Sequence, residues 1–157
     1  MLRTARCCDS GRVTHEPDHG PPADDALPDA GRPDPLSQAR ADVLRDLAAC
    51  AVDTPAAIDR LEDAVTARRW WVHQWPGGAE HVAGQVAQDV QERLLDDGLA
   101  RWPVCASPQC GISEPHELRI DPELGPAPHW VCEASGVDVA RLGQLRHVQR
   151  GHRRPQS

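Results

Sequence analysis

Phenylalanine and tyrosine are absent from this chain, and so are lysine and asparagine. Without Phe or Tyr, the aromatic bulk of any core has to come from the five tryptophans. Leu, Ile and Val supply only 29 of the 157 residues. Less than a fifth of the chain is therefore aliphatic, and with a net charge of -7 that balance leans toward partial disorder. The lack of lysine and asparagine, beside abundant Arg, Ala, Pro and Asp, reads as a GC-rich coding bias and carries no function. No apolar run approaches the length that crosses a bilayer, so a soluble protein without a membrane span is expected. Met1–Arg12 has basic residues but no apolar stretch behind them, so no secretory signal is expected either. The six cysteines are then expected in a reducing cytoplasm, where disulfides are rare and metal ligation or idle thiols prevail.

Catalytic signatures are also missing. There is no Gly-rich phosphate loop and no Gly-x-Ser-x-Gly elbow. The carboxylate pairs Asp24-Asp25 and Asp96-Asp97 read as part of a disordered arm and as a helix end. The acidic net charge argues against a generic nucleic-acid binder, whose usual footprint is a basic field. The local exception is the tail, residues 146–157, with Arg146, Arg150, Arg153 and Arg154 and no acidic residue. It reads as a solvated terminus, and nucleic-acid association through it is kept as an alternative.

What is present divides the chain into four stretches. Residues 1–33 hold Pro17, Pro21, Pro22, Pro28 and Pro33 among unpatterned apolar residues, and are expected to be a disordered arm in which Cys7 and Cys8 are incidental. Residues 34–98 read as helical. Of the 29 aliphatics, 25 fall between Leu36 and Leu145, so a thin core is feasible there. Asp34-Pro35 is a helix start, because Asp caps orphan amides and Pro at the first helical position has none to lose. Leu36, Ala39, Val43, Leu44, Leu47 and Ala51 follow at helical spacing, with Cys50 on the same side as a small core residue.

Thr54-Pro55 repeats the start signal, and a second stripe runs through Ile58, Leu61, Ala64, Val65, Trp71, Val72 and Trp75. Arg68 interrupts it, with its stem expected along the surface and its head in water. Trp71 and Trp75 are expected to pack inward. Trp70 points elsewhere, and if exposed it marks a contact surface. Base stacking beside Arg68-Arg69 is the sharper but less economical reading. Pro76-Gly77-Gly78 breaks the helix. A third helix is predicted over residues 79–97, with Val82, Val86, Val90 and Leu94 on one face and Gly98 as its cap. The short connection predicts an antiparallel hairpin of helices two and three, with helix one covering the open side.

After Gly98 the period changes. Residues 117–120, 129–133 and 137–142 read as strands of a three-stranded antiparallel meander, making the fold class α+β. Residues 99–145 are thus a small Cys/His β module, ahead of the basic tail. So small a sheet has to lean on the helices or on a metal.

The module also carries the chemistry. Cys105-x4-Cys110-Gly111 is a stretched version of the Cys-x-x-Cys-Gly knuckle of a zinc ribbon, in which thiolates on a tight turn converge on one tetrahedral ion. Its counterpart, Cys132-x2-Ser135-Gly136, lacks the last cysteine, so the ribbon is degenerate and a closed site needs a histidine. His116 is preferred over His129, because residues three apart on an extended strand point to opposite faces, and Cys132 is expected to point inward beside Trp130. The expected set is Cys105, Cys110, His116 and Cys132 holding zinc, with Trp102 and Trp130 as apolar cover. Competing readings are small apolar fillers, a Cys105–Cys132 disulfide, or a Cys–His nucleophile of a thiol-dependent enzyme.

Residues from about 79 to 143, through Trp102, Pro103, Cys105, His116, Leu118, Trp130 and Cys132, resemble a C-terminal module of small uncharacterised actinobacterial proteins. Its pattern is Trp-Pro-x-Cys, then His-x-Leu, then Trp-x-Cys. The chain departs from it at Ala106, Glu117 and Glu133, where the pattern has Pro, and at Cys110, where it more often has His. A Cys-for-His exchange keeps a zinc ligand, and the resemblance implies no activity. The expectation is a non-catalytic interaction module with a protein partner and a structural zinc site.

Overall fold

A computed structural model describes residues 34–146. The arm 1–33, with Cys7 and Cys8, and the tail from residue 147 lie outside the described residues. Three helices precede a three-stranded antiparallel sheet: α1 (Pro35–Ala49), α2 (Pro55–Gln74), α3 (Val82–Asp96), β1 (Arg119–Asp121), β2 (His129–Cys132) and β3 (Val137–Arg141). Among the described residues no helix is long and apolar enough to cross a membrane.

Local chemistry starts the first two helices. The Asp34 carboxylate accepts from Ser37 N at 2.9 Å, with Pro35 in the first turn. Thr54 Oγ1 accepts from Ala57 N at 3.2 Å, ahead of Pro55. Each cap satisfies an amide that has no intrahelical partner. Leu36, Ala39, Val43 and Leu47 of α1 are buried against Ala57, Leu61, Ala64 and Val65 of α2 and Val82, Val86, Val90 and Leu94 of α3. Ala51 is not part of that stripe. The helix has ended before it, and Ala51 is exposed in the left-handed region (φ 54) where the chain turns toward Thr54.

Three further expectations are corrected. The segment from Pro76 to His81 is a 3-10 turn, so α3 begins at Val82 rather than at residue 79. Pro76 also takes Trp75 off the helix (φ -135, ψ 80). Trp75 is therefore 46% exposed instead of packed inward, with its ring edge-to-face on half-buried Trp71 at 4.9 Å. Arg68 does not stretch toward water. Its Nε and Nη2 donate to the two Asp89 oxygens at 2.7 Å each, and Nη1 donates to Gln85 at 2.9 Å. This forked pair ties α2 to α3 at the position where a charge had looked out of place. Trp70 is 69% exposed.

Gly98 ends α3 at φ +63, with open space where a Cβ would stand. An L side chain meets no neighbour there but is strained by the backbone. Gly98→Ala is accordingly expected to lower stability by about 1 kcal/mol in urea titration, with no change in helix content.

The sheet order is β1-β2-β3, with Ile120 opposite Trp130 and Trp130 opposite Ala140. β1 begins later than the sequence suggested. Glu117 pairs instead with Val104 in an isolated bridge, and Leu118 N donates to the Pro103 carbonyl at 2.8 Å. Trp102, Leu118, Ile120, Trp130, Cys132 and Leu142 join the helical residues in one continuous core.

The link between sheet and helices is Asp46, buried on α1. Its Oδ2 accepts from Trp130 Nε1 and from Gly143 N, both at 2.7 Å, and its Oδ1 accepts from Leu145 N at 2.9 Å. Its main-chain carbonyl accepts from Trp102 Nε1 at 3.4 Å. The two tryptophan rings meet edge-to-face at 5.0 Å. Gly143 reaches the carboxylate at φ +79, where a Cβ would come within 2.7 Å of Asp42 Oδ1. One carboxylate thus holds β2 and the segment after β3 onto α1. Gln91 Nε2 of α3 adds a bond to the Leu118 carbonyl at 2.7 Å.

Candidate metal centre

The chain between Trp102 and Leu118 leaves the core, loops through solvent and returns beside itself. Its neck is closed by Cys105 N donating to the His116 carbonyl and Leu118 N to the Pro103 carbonyl, both at 2.8 Å. These bonds place Cys105 and His116 side by side. Within the loop, Cys110 N donates to the Ser107 carbonyl at 3.1 Å, a turn that aims the Cys110 side chain back toward the neck. Cys132, at the buried end of β2, comes from below.

One ligand atom from each of Cys105, Cys110, His116 and Cys132 lies within 4.8 Å of all the others, and these four residues could hold a metal ion. His116 Nε2 stands 3.5 Å from Cys110 Sγ and 3.4 Å from Cys132 Sγ, and the two sulfurs are 3.5 Å apart. On the far side of the ring, Nδ1 is 2.9 Å from the Glu114 carbonyl. A carbonyl only accepts, so Nδ1 carries the hydrogen, which leaves Nε2 as the ring atom that faces the sulfurs. This is how the other nitrogen of a metal-binding histidine is usually held.

The electrostatics favour a charged sulfur. Cys132 is brought down to about 6, first by the Ser135 hydroxyl and then by the His116 ring. His116 is raised, chiefly by the Glu114 carbonyl and then by Cys132. Burial pushes Cys105 the other way. Ser135 Oγ is buried with no hydrogen-bond partner among the described residues, yet close enough to Cys132 to act on its sulfur. Ser135 therefore sits beside the site, at the position that a ribbon's last cysteine would occupy.

The structure brings together all four residues expected from the sequence, and His129 is outside the cluster. Cys50, Cys105, Cys110 and Cys132 are free thiols, so the Cys105–Cys132 disulfide is not formed. Trp102 and Trp130 belong to the core and bond to Asp46, a more structural part than cover for the sulfurs. Sequence reasoning missed Asp46, Ser135 as a neighbour of the thiolate, and the Glu114 carbonyl. The carbonyl leaves no mark in a sequence, whereas Asp46 left one in the heptad-like spacing of α1. Of the arginine tail, only Arg146 is among the described residues.

Residues 32–142 match the family model described as Domain of unknown function (DUF8819). The chain belongs to this family. The matched span takes in all three helices, the sheet and the four candidate ligands, so the DUF8819 domain and its Cys/His cluster are a single unit of structure. No curated protein and no solved structure matches the chain.

Proposed function

We propose that Cys105, Cys110, His116 and Cys132 bind one zinc ion in a closed structural site, and that the protein is a non-catalytic interaction module whose β half this ion completes. The carrying observation is the convergence of three sulfurs and one imidazole nitrogen within 4.8 Å. With Zn–S of about 2.3 Å and Zn–N of about 2.0–2.1 Å, a tetrahedral site has S–S edges of about 3.8 Å and S–N edges of about 3.6 Å. The separations of 3.4–3.5 Å among Cys110, His116 and Cys132 are within a few tenths of those edges. Thiolate-rich, four-protein-ligand sites select zinc and leave no open position for a substrate. The actinobacterial module that residues 79–143 resemble more often has His at the position of Cys110, which supports a ligand there.

The module reading rests on what surrounds the site. Cys132, whose thiol is brought down, is buried on β2 and out of reach of a substrate. Trp70 and Trp75 offer exposed aromatic surface for a protein partner. A reducing cytoplasm suits four free thiols.

The test is metal analysis of protein purified without chelator. About one zinc per chain is expected, with cobalt substitution giving the thiolate charge-transfer band of a Cys3His site. Cys132→Ser should lose the metal. Metal-free protein that also fails to take up cobalt would return the four residues to ordinary packing.

A further inference from the structure

The geometry points to a thiol redox switch within this same site: hydroperoxide oxidises Cys110 and Cys132 to a disulfide and expels the zinc, freeing the loop between Cys105 and His116. The inference rests on the zinc reading above and adds its regulation.

The two sulfurs differ in access and are already neighbours. Cys110 is half-buried in a loop whose flanking residues Pro108, Gln109, Gly111 and Ile112 are exposed. Cys132 is buried at the end of a strand. They stand 3.5 Å apart, against about 2.0 Å in a disulfide. The rest of the approach falls to the Cys110 loop, whose backbone ties are concentrated at its neck. A reachable sulfur beside a protected second one is the arrangement of an attacked and a resolving thiol.

A zinc-bound cysteine is a thiolate, so both sulfurs enter without protons. Cys110 Sγ attacks one oxygen of the peroxide, the O–O bond breaks, and hydroxide leaves, giving a sulfenic acid. Cys132 Sγ then attacks that sulfur, the S–O bond breaks, and a second hydroxide leaves as the S–S bond forms. Two thiolates and one peroxide become one disulfide and two hydroxides. Each sulfur gives up one electron, and the peroxide takes both. Zinc keeps only Cys105 and His116 and dissociates. The sheet stays in place, because Asp46 holds β2 and the segment after β3 through separate bonds.

The experiment treats the zinc-loaded full chain with one equivalent of hydrogen peroxide. It follows metal release with a chromogenic chelator and maps disulfides by mass spectrometry. Zinc release in step with a Cys110–Cys132 linkage is expected, with thiol reductant and added zinc restoring the site. Cys110→His keeps a fourth ligand while removing the attacked sulfur. It should hold zinc and release it to peroxide at least about tenfold more slowly. Zinc retained by the wild type, a linkage mapped to another pair, or equally fast release from Cys110→His would overturn the switch and leave the metal site standing. Untreated protein that holds no zinc would remove both.

Discussion

Asp46→Ala is expected to destabilise the protein by about 3–6 kcal/mol, which is enough to unfold many small domains outright. Alanine would orphan three donors that reach Asp46: the buried Trp130 Nε1 and Gly143 N, and the part-buried Leu145 N. Each buried donor left without an acceptor costs about 1–3 kcal/mol. Asp46→Asn is the finer probe. Its one remaining oxygen can serve Trp130 and Gly143, but its amide hydrogens then face Leu145 N–H, so a loss of about 1–3 kcal/mol is expected. Urea titration of both variants checks the order.

The same residue makes a signed prediction about pH. Burial raises the Asp46 carboxyl, while the bonds from Trp130, Gly143 and Leu145 pull it down and Asp42 adds to the rise. The net direction is upward, so the folded protein holds this proton more tightly than the unfolded chain. Stability from this group is fully present below the unfolded value of about 3.9 and fades as pH climbs through the raised folded value. The asparagine variant has no such group. Its deficit relative to wild type should therefore be largest in acid and shrink toward neutral pH. Thiols and surface carboxylates common to both proteins cancel in this difference. A deficit that grows with pH would mean that the three donors outweigh burial.

Why Asp46 escaped notice, while the candidate metal ligands did not, follows from where each signal is written. Asp34-Pro35, Thr54-Pro55 and Gly98 act on amides a few residues away, so residue identity alone locates helix ends there. Cys105, Cys110, His116 and Cys132 stood out because sulfur and imidazole are rare and their chemistry is specific. Asp46 is a common residue whose indole partner lies 84 positions later. Its place on the α1 stripe, three after Val43 and seven after Ala39, was a clue of the kind that made Arg68 conspicuous. Arg68 was noticed but its head was left in water, since Asp89 is on another helix and the pair shows only when α2 folds back on α3. Trp75 was misplaced because helical spacing was extended through a residue that Pro76 removes from the helix.

On the zinc reading the sheet has two anchors, and removing the metal should separate them. The loop between Cys105 and His116 has exposed residues over most of its length and is tied mainly at its neck. Without an ion, Cys110 is held near Cys132 only by contacts with that sulfur and the His116 ring and by partial packing on the core. The helices keep their apolar core, and β2 keeps its bonds to Asp46. Chelation of the zinc-loaded protein is thus expected to speed amide exchange selectively across residues 106–115. Exchange in α1 and α3 should quicken only as global stability falls, and the helical circular dichroism at 25 °C should change little. Zinc gives up its share of folding free energy at the same time. A loss of about 3 kcal/mol corresponds to a fall in Tm of roughly 10–20 °C for a domain of this size. Collapse of the helices on chelation would show that the metal, rather than the Asp46 contacts, holds the sheet to the bundle. Exchange in the loop that ignores chelator would show that the four residues hold their places by packing alone.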